Sequence, residues 1–398
     1  MPPPSEVLTI TSPNSFRAIL ARLSDLPSWL FVLCLVGYPL YALTTTIFYL
    51  DSKSWTYWYR AVVLGLACFI LLIAKNRVAL FKNSYWLIIF CFLYVCRLLW
   101  DWLIVENLGI PGPDHALLIF VGTVFGPAVA SSSYDYANEN ESDLAWKIAI
   151  SAASVGFLAF LMNRLGWGTD RFLSQAMGRI FYESLNPITV GHAGVTALLA
   201  CLSLTTKLSY TKILALPLMV APSIWCVIQS GSRGPVLALL IPVLAYVLVK
   251  RKFFWVAVLA ICSVPFALDE SNILYKRFSW GIEASANARL YMQAEALTQF
   301  SESPIFGEGY CERLTMSYPH NLAVETLMAL GGVGFCVLLV ILYGASKNTI
   351  ICIRKEKVLI PLLTLQYCVG GMFSGAIWGA GALFCCLFVL SQIQNPKS

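Results

Sequence analysis

Apolar residues run along this chain in long unbroken stretches rather than in alternation. Stretches of about 20 helical residues are what a bilayer core requires, and they fall near 29–50, 56–74, 84–105, 115–130, 144–163, 188–206, 212–229, 235–249, 252–268, 321–344, 358–373 and 376–392. The pattern predicts an all-α polytopic membrane protein of about twelve spans. Continuous apolar runs argue against a closed β-barrel, whose strands alternate in and out. One long polar segment, 269–320, interrupts the series. Within it, Ser285 to Phe300 reads as a helix that Ser285 or Asn287 could cap, with a partial apolar face from Leu290, Leu297 and Phe300. Such a helix is expected to lie along the interface rather than cross it. Ser303-Pro-Ile-Phe-Gly-Glu-Gly309 then predicts turns, through the fixed φ of Pro304 and the permissive glycines.

Composition agrees with this outline. Of 398 residues 58% are hydrophobic and only 12% charged, about half the charge of a soluble domain. Mean hydropathy is +0.73. The net charge of +6 is accounted for largely by basic inside loops and gives no reason to expect nucleic acid. The thirteen cysteines form no CxxC pair and lie mostly in apolar runs, where they read as small packing residues. The first apolar run has no small-residue cleavage motif and reads as an uncleaved span. The expected organisation is one integral membrane domain, 1–398, with 269–320 as a periplasmic loop within it.

The distribution of Lys and Arg orients the chain. With both termini inside, the inside loops hold Lys75, Arg77 and Lys82, then Lys207 and Lys212, then Lys250-Arg251-Lys252, then Lys347, Arg354, Lys355 and Lys357. The long loop therefore faces outward. His115, His192 and His320 then fall at outer ends of spans, as does Arg233, while Arg164, Arg171 and Arg179 occupy a second outer loop. The polar chemistry gathers on one face.

Several residues are candidates for that chemistry. Arg233 stands in Ser230-Gly-Ser-Arg-Gly-Pro235, where glycines allow close backbone approach and Pro235 can open a helix. A guanidinium grips phosphate or carboxylate in bidentate fashion; snorkelling to lipid phosphates is the alternative. Arg289 lies on the helix inside the loop, where a merely solvated charge is equally expected. If the two arginines converge, their repulsion favours an anion between them. His320, in Tyr318-Pro-His-Asn321, could take a proton from a sugar hydroxyl as general base, or could simply bond backbone at a helix end. Glu325, a turn into the following span, could orient the histidine, bind sugar or pair with an arginine. Ser232, Asn321, Arg277 and His192 complete the candidate substrate-binding set. Arg97 and Asp101, four apart on one helix face, are expected to form an intramembrane ion pair of structural purpose. No P-loop, GxGxxG, HExxH, metal-spaced His/Cys cluster or Asp-x-Asp occurs, so neither metal nor cofactor is expected.

Taken together the motifs resemble the O-antigen ligase and Wzy-type polymerase superfamily of bacterial polysaccharide assembly. The residues that carry the resemblance are Ser-Gly-Ser-Arg233-Gly-Pro with Leu237, the Ala-Arg289-Leu-Tyr-Met-Gln-Ala-Glu-Ala-Leu297 helix, and Pro304-Ile-Phe-Gly-Glu-Gly309. Most specific is His320-Asn321 followed by nine residues, Gly331, two residues and Gly334. The resemblance spans roughly 186–335. It implies a GT-C-like fold and a metal-independent, inverting glycosyl transfer on the outer side of the inner membrane. The implied donor is a glycan on undecaprenyl diphosphate. Arg233 and Arg289 would hold the diphosphate, and His320 would activate or position the acceptor hydroxyl. The implied acceptor is a sugar of the lipid A core for a ligase, which the His-Asn-x9-Gly-x-x-Gly match favours, or another lipid-linked repeat for a polymerase. A protein O-glycosyltransferase of the same fold and a lipid-linked-glycan transporter are the remaining alternatives. Arg97 and Asp101 would serve the transporter.

Overall fold

The computed structural model describes residues 25–48, 50, 52–74, 83–105, 109–136, 138–170, 174, 182, 185–205, 215–251 and 284–393. The expected span 252–268 and Arg277 lie outside these residues, as do Arg171 and Arg179. The described residues form helices: α1 Leu26–Ile47, α3 Tyr85–Val105, α4 Pro113–Ser131, α5 Glu141–Leu165, α6 Pro187–Leu204 and α8 Arg233–Lys250, with α2 Ser52–Ile73 and α7 Leu216–Gln229. Then come α9 Ala284–Glu302, α10 Leu322–Arg354, α11 Leu359–Phe373 and α12 Gly381–Ser391. Eight of them are long and apolar enough to cross a membrane, while α7, α11 and α12 are shorter apolar helices. Eleven of the twelve apolar runs are therefore helical, but only eight reach full spanning length among the described residues. The polar α9 is the helix expected inside the long loop.

The helix ends follow from local sequence. Asn140 caps α5 by accepting from Ser142 N at 3.2 Å, and Gly166 closes it in the left-handed conformation at φ 69°. Asn186 caps α6, accepting from Ile188 N at 2.9 Å, with Pro187 in the first turn. In the interior, α6 packs against α5, α7, α8 and α11, and α10 packs against α3 and α9. Alanines and glycines let these backbones approach: a methyl on Gly194 would lie 2.5 Å from Ser223 O.

The longest helix is broken, and the break builds the loop before it. Gly331 sits at φ 63°, ψ −161° inside α10, a region open essentially to glycine alone. The break releases backbone groups on both sides, and the turn at 304–309 takes them up. Glu308 N donates to Met328 O at 2.8 Å, Gly332 N to Pro304 O at 2.8 Å and Val333 N to Ile305 O at 3.2 Å. The contact admits no side chain at Gly307, where a methyl would lie 2.5 Å from Met328 O. Gly334 is likewise filled by Leu330.

Arg97 locks this joint. Its Nε donates to Ala329 O at 2.9 Å, Nη1 to Asp101 Oδ1 at 3.3 Å and Glu308 O at 3.0 Å, and Nη2 to Phe306 O and Gly307 O at 3.0 Å each. A guanidinium has five N–H donors, and all five are engaged within the protein. The expected Arg97–Asp101 pair is present, and Asp101 also accepts from Tyr310 N at 2.8 Å. Every donor of Arg97 is thus spent on the joint.

Candidate functional site

Several of the sequence-derived candidates border one structural element, the end of α11. Met372 O accepts from Asn321 Nδ2 at 3.2 Å. Phe373 O accepts from Arg289 Nη1 at 2.9 Å. Gly234, next to Arg233, faces the same residue, since a methyl there would lie 3.6 Å from Phe373 Cβ. The His192 ring rests on Gly370, where a methyl would lie 2.8 Å from its Cε1. A helix C-terminus carries partial negative charge, so it is a natural place for arginines to gather. Arg289, Asn321, His192 and the first turn of α8, which carries Arg233, thus border one short stretch of α11.

His320 is set by its neighbours in the chain. Its backbone is left-handed at φ 57°, a conformation uncommon outside glycine and for which histidine is enriched. Asn321 follows as the cap of α10, its Oδ1 accepting from Ala323 N at 3.0 Å and Val324 N at 3.2 Å. The ring of His320 stacks on Tyr318 at 4.3 Å between centroids, and Tyr318 meets Trp378 edge-on at 5.7 Å. His320 Nδ1 is buried and has no hydrogen-bond partner, which for a buried polar atom calls for an explanation. Burial, and then the Arg289 charge, pull the imidazole down to a pKa of about 4. At neutral pH it is therefore uncharged and able to accept a proton. Burial also lowers the pKa of Arg289 from its ordinary value, leaving it charged throughout the physiological range.

Two other candidates are braces. Glu325 is fully buried, with both carboxylate oxygens 3.0 Å from Ile377 N and one 3.3 Å from the Tyr94 hydroxyl. It secures the link after α11, and its hydrogen-bond partners include neither His320 nor an arginine. Asn321 spends its oxygen on the α10 cap and one amide hydrogen on Met372 O. Ser232 precedes α8 as a half-buried cap residue without a side-chain cap bond.

Beside the turn lies a cavity of about 550 Å³, within the range of small-molecule sites. Gly370, Gly371, Ser374 and Gly375 of α11 and its link form one wall, with His192 and Tyr318 adjoining. Tyr38, Tyr59 and Arg60 also line it. Sequence reasoning passed over Arg60, because in Trp55-Thr-Tyr-Trp-Tyr-Arg60 a cation among aromatics reads as an interfacial belt. It passed over the α11 turn because its contribution is backbone carbonyls, which no residue type announces.

Residues 218–339 match a family model described as O-antigen ligase. This match supports the O-antigen ligase and Wzy-type superfamily. The motif-based resemblance is borne out over a segment running from α7 into the first half of α10. That ligase-family segment contains Arg233, Arg289, His320, Asn321 and Glu325. His192, Arg60 and the α11 turn lie outside it, so the site joins the matched segment to elements before and after it. A comparison with curated proteins finds no match.

Proposed function

We propose that this protein is an O-antigen ligase of the bacterial inner membrane. It takes a glycan from undecaprenyl diphosphate and joins it to a sugar of the lipid A core at the periplasmic face. The observation that carries the reading is that Arg289 bonds the end of α11 beside an uncharged His320 whose Nδ1 has no hydrogen-bond partner, with the start of α8, where Arg233 stands, packed on the same residue. The family match supports the ligase description. The glycines at 331 and 334, part of the motif that favours a ligase, shape the joint between α10 and the 304–309 turn.

In this mechanism Arg233 and Arg289 hold the donor diphosphate and offset its charge as it departs, without a metal ion. The acceptor hydroxyl oxygen attacks the anomeric carbon from the side opposite the diphosphate. The new C–O bond forms as the bond to the diphosphate oxygen breaks, inverting the centre, and the hydroxyl proton passes to an unprotonated nitrogen of His320. Undecaprenyl diphosphate leaves with the bonding pair. Ser232 flanks the diphosphate, and Glu325 and Asn321 hold the walls in place.

The test is transfer from purified lipid-linked donor by the reconstituted protein. His320→Ala should lose about 10²–10⁴-fold in rate and Arg289→Ala on the order of 10²–10³-fold, with both proteins inserted and monodisperse. Near-normal transfer by both would refute the assignment. In cells, deleting the gene should abolish capping of lipopolysaccharide on a gel. A core bearing a single repeat would indicate a polymerase instead, and an unchanged ladder would reject both for that glycan.

A further inference from the structure

The 550 Å³ cavity has a charge character that the transfer mechanism does not use. Among the described residues its lining includes Arg60 and no Asp or Glu. The ion pairs among the described residues are Arg97–Asp101, Lys147–Asp25, Lys250–Glu356 and Arg313 with Glu302 and Glu308. Arg60 belongs to none of them; its guanidinium lies 5.9 Å from the centre of the Tyr57 ring. A cation within a membrane span and without a counterion is costly unless a ligand supplies one. His192 also borders this cavity, and its Nδ1 is enclosed without a hydrogen-bond partner. Tyr38, Tyr59, Tyr318 and Trp378 give it aromatic walls.

The position of the cavity relative to the arginines is equally informative. The last turn of α11 and the link after it bring Gly370, Gly371, Ser374 and Gly375 to the cavity. The Met372 and Phe373 carbonyls of that turn engage Asn321 and Arg289. The cavity and the arginine cluster therefore flank one turn of helix, and Tyr318, which lines the cavity, stacks on His320. In an inverting displacement the attacking hydroxyl approaches opposite the leaving group, so the two substrates come from opposite sides.

We propose that this cavity is the acceptor subsite, and that Arg60 recognises a phosphate or carboxylate carried by the acceptor. The proposal rests on the glycosyl-transfer reading above. The anionic group is a substituent on the acceptor glycan; the competing source is the phosphate of the carrier lipid.

The experiment measures binding to the full-length protein in phosphatidylcholine nanodiscs. Three probes are used: a trisaccharide with one phosphomonoester, its dephosphorylated form, and undecaprenyl monophosphate. One charge-assisted contact corresponds to a preference of about tenfold or more for the phosphorylated trisaccharide over its dephosphorylated form. Arg60→Ala should erase that preference, with Arg60→Lys intermediate. If instead undecaprenyl monophosphate is the probe whose binding falls about tenfold in Arg60→Ala, Arg60 reads the carrier lipid that brings the donor, and the acceptor assignment is overturned. Unchanged affinity of Arg60→Ala for all three probes overturns it, leaving an arginine that faces membrane headgroups. Arg60→Gln carries the same comparison if the alanine variant does not insert. Binding is read apart from turnover. An Arg60-dependent phosphate preference in a protein that transfers nothing would therefore sink the transferase reading while leaving the anion site intact.

Discussion

His320 carries three separable properties: a left-handed backbone, a ring stacked on Tyr318, and a buried nitrogen without a partner. Burial first and Arg289 second hold its pKa near 4, against an ordinary 6.5. The unfolded chain therefore takes up this proton first as the pH falls. The stability that His320 contributes is whole above about pH 6.5 and is lost as the pH drops toward 4. Histidine-selective NMR on the detergent-solubilised protein, with the His320 resonance assigned from its loss in His320→Gln, should show that imidazole titrating near 4, and Arg289→Gln should move it upward. A resonance that stays put in that variant would mean the two side chains do not sense each other. If the neutral ring is the base, the acid limb of kcat/KM should lie near the same value and shift in the same direction. The sequence marked His320 and Arg289 as chemistry, because cations and imidazole at a span end are rare enough to notice. It did not reveal that burial rather than a neighbouring carboxylate would set the state of His320, since burial belongs to the packed fold. Glu325 shows the opposite limit. Its type and place announced a reason, and only the structure supplied it: the amide of Ile377, 52 residues away.

At the scale of elements, the most specific motif in the chain belongs to a joint. The 304–309 turn and the break at Gly331 complete each other's hydrogen bonds, and Arg97 bridges both. The glycine spacing was legible, but not its purpose, because a break is visible only beside the turn that fills it. Gly331→Ala should destabilise the protein by roughly 1–3 kcal/mol from backbone strain alone, with the collision against Ile305 O added. Gly344→Ala, on the same helix and with nothing within 4 Å of the added methyl, should be neutral or gain up to about 1 kcal/mol. Thermal unfolding of the two variants in one detergent reads the contrast, and equal midpoints would contradict the joint. The short α11 is held at both ends. The Glu141 carboxylate takes Leu359 N at its start, and Arg289 and Asn321 bond its last carbonyls.

Over the whole molecule, hydropathy located eleven of the expected helices, and loop charge proposed which way they run. The arrangement separates the two ends of the bundle. The site cluster occupies one, and Lys250, Glu356, Lys357 and the Tyr136–Glu141 turn occupy the other. A cysteine at Leu314, exposed near the site, should react with a membrane-impermeant maleimide in intact cells. One at Lys355, exposed at the far end, should react only after lysis. The unaltered chain controls for Cys68, Cys96 and Cys336, which are exposed. The reverse labelling pattern would invert the proposed orientation. What hydropathy could not show is the partition inside the bundle, since α11 reads as one more apolar run.

That partition has a kinetic corollary. One turn of helix divides the arginine cluster from the cavity, and Tyr318 and His320 bridge them. Chemistry then requires both chambers to be filled at the same moment. Initial rates with both substrates varied should give intersecting double-reciprocal lines, the signature of a ternary complex. Parallel lines would instead mean that the glycan pauses on the protein between two half-reactions.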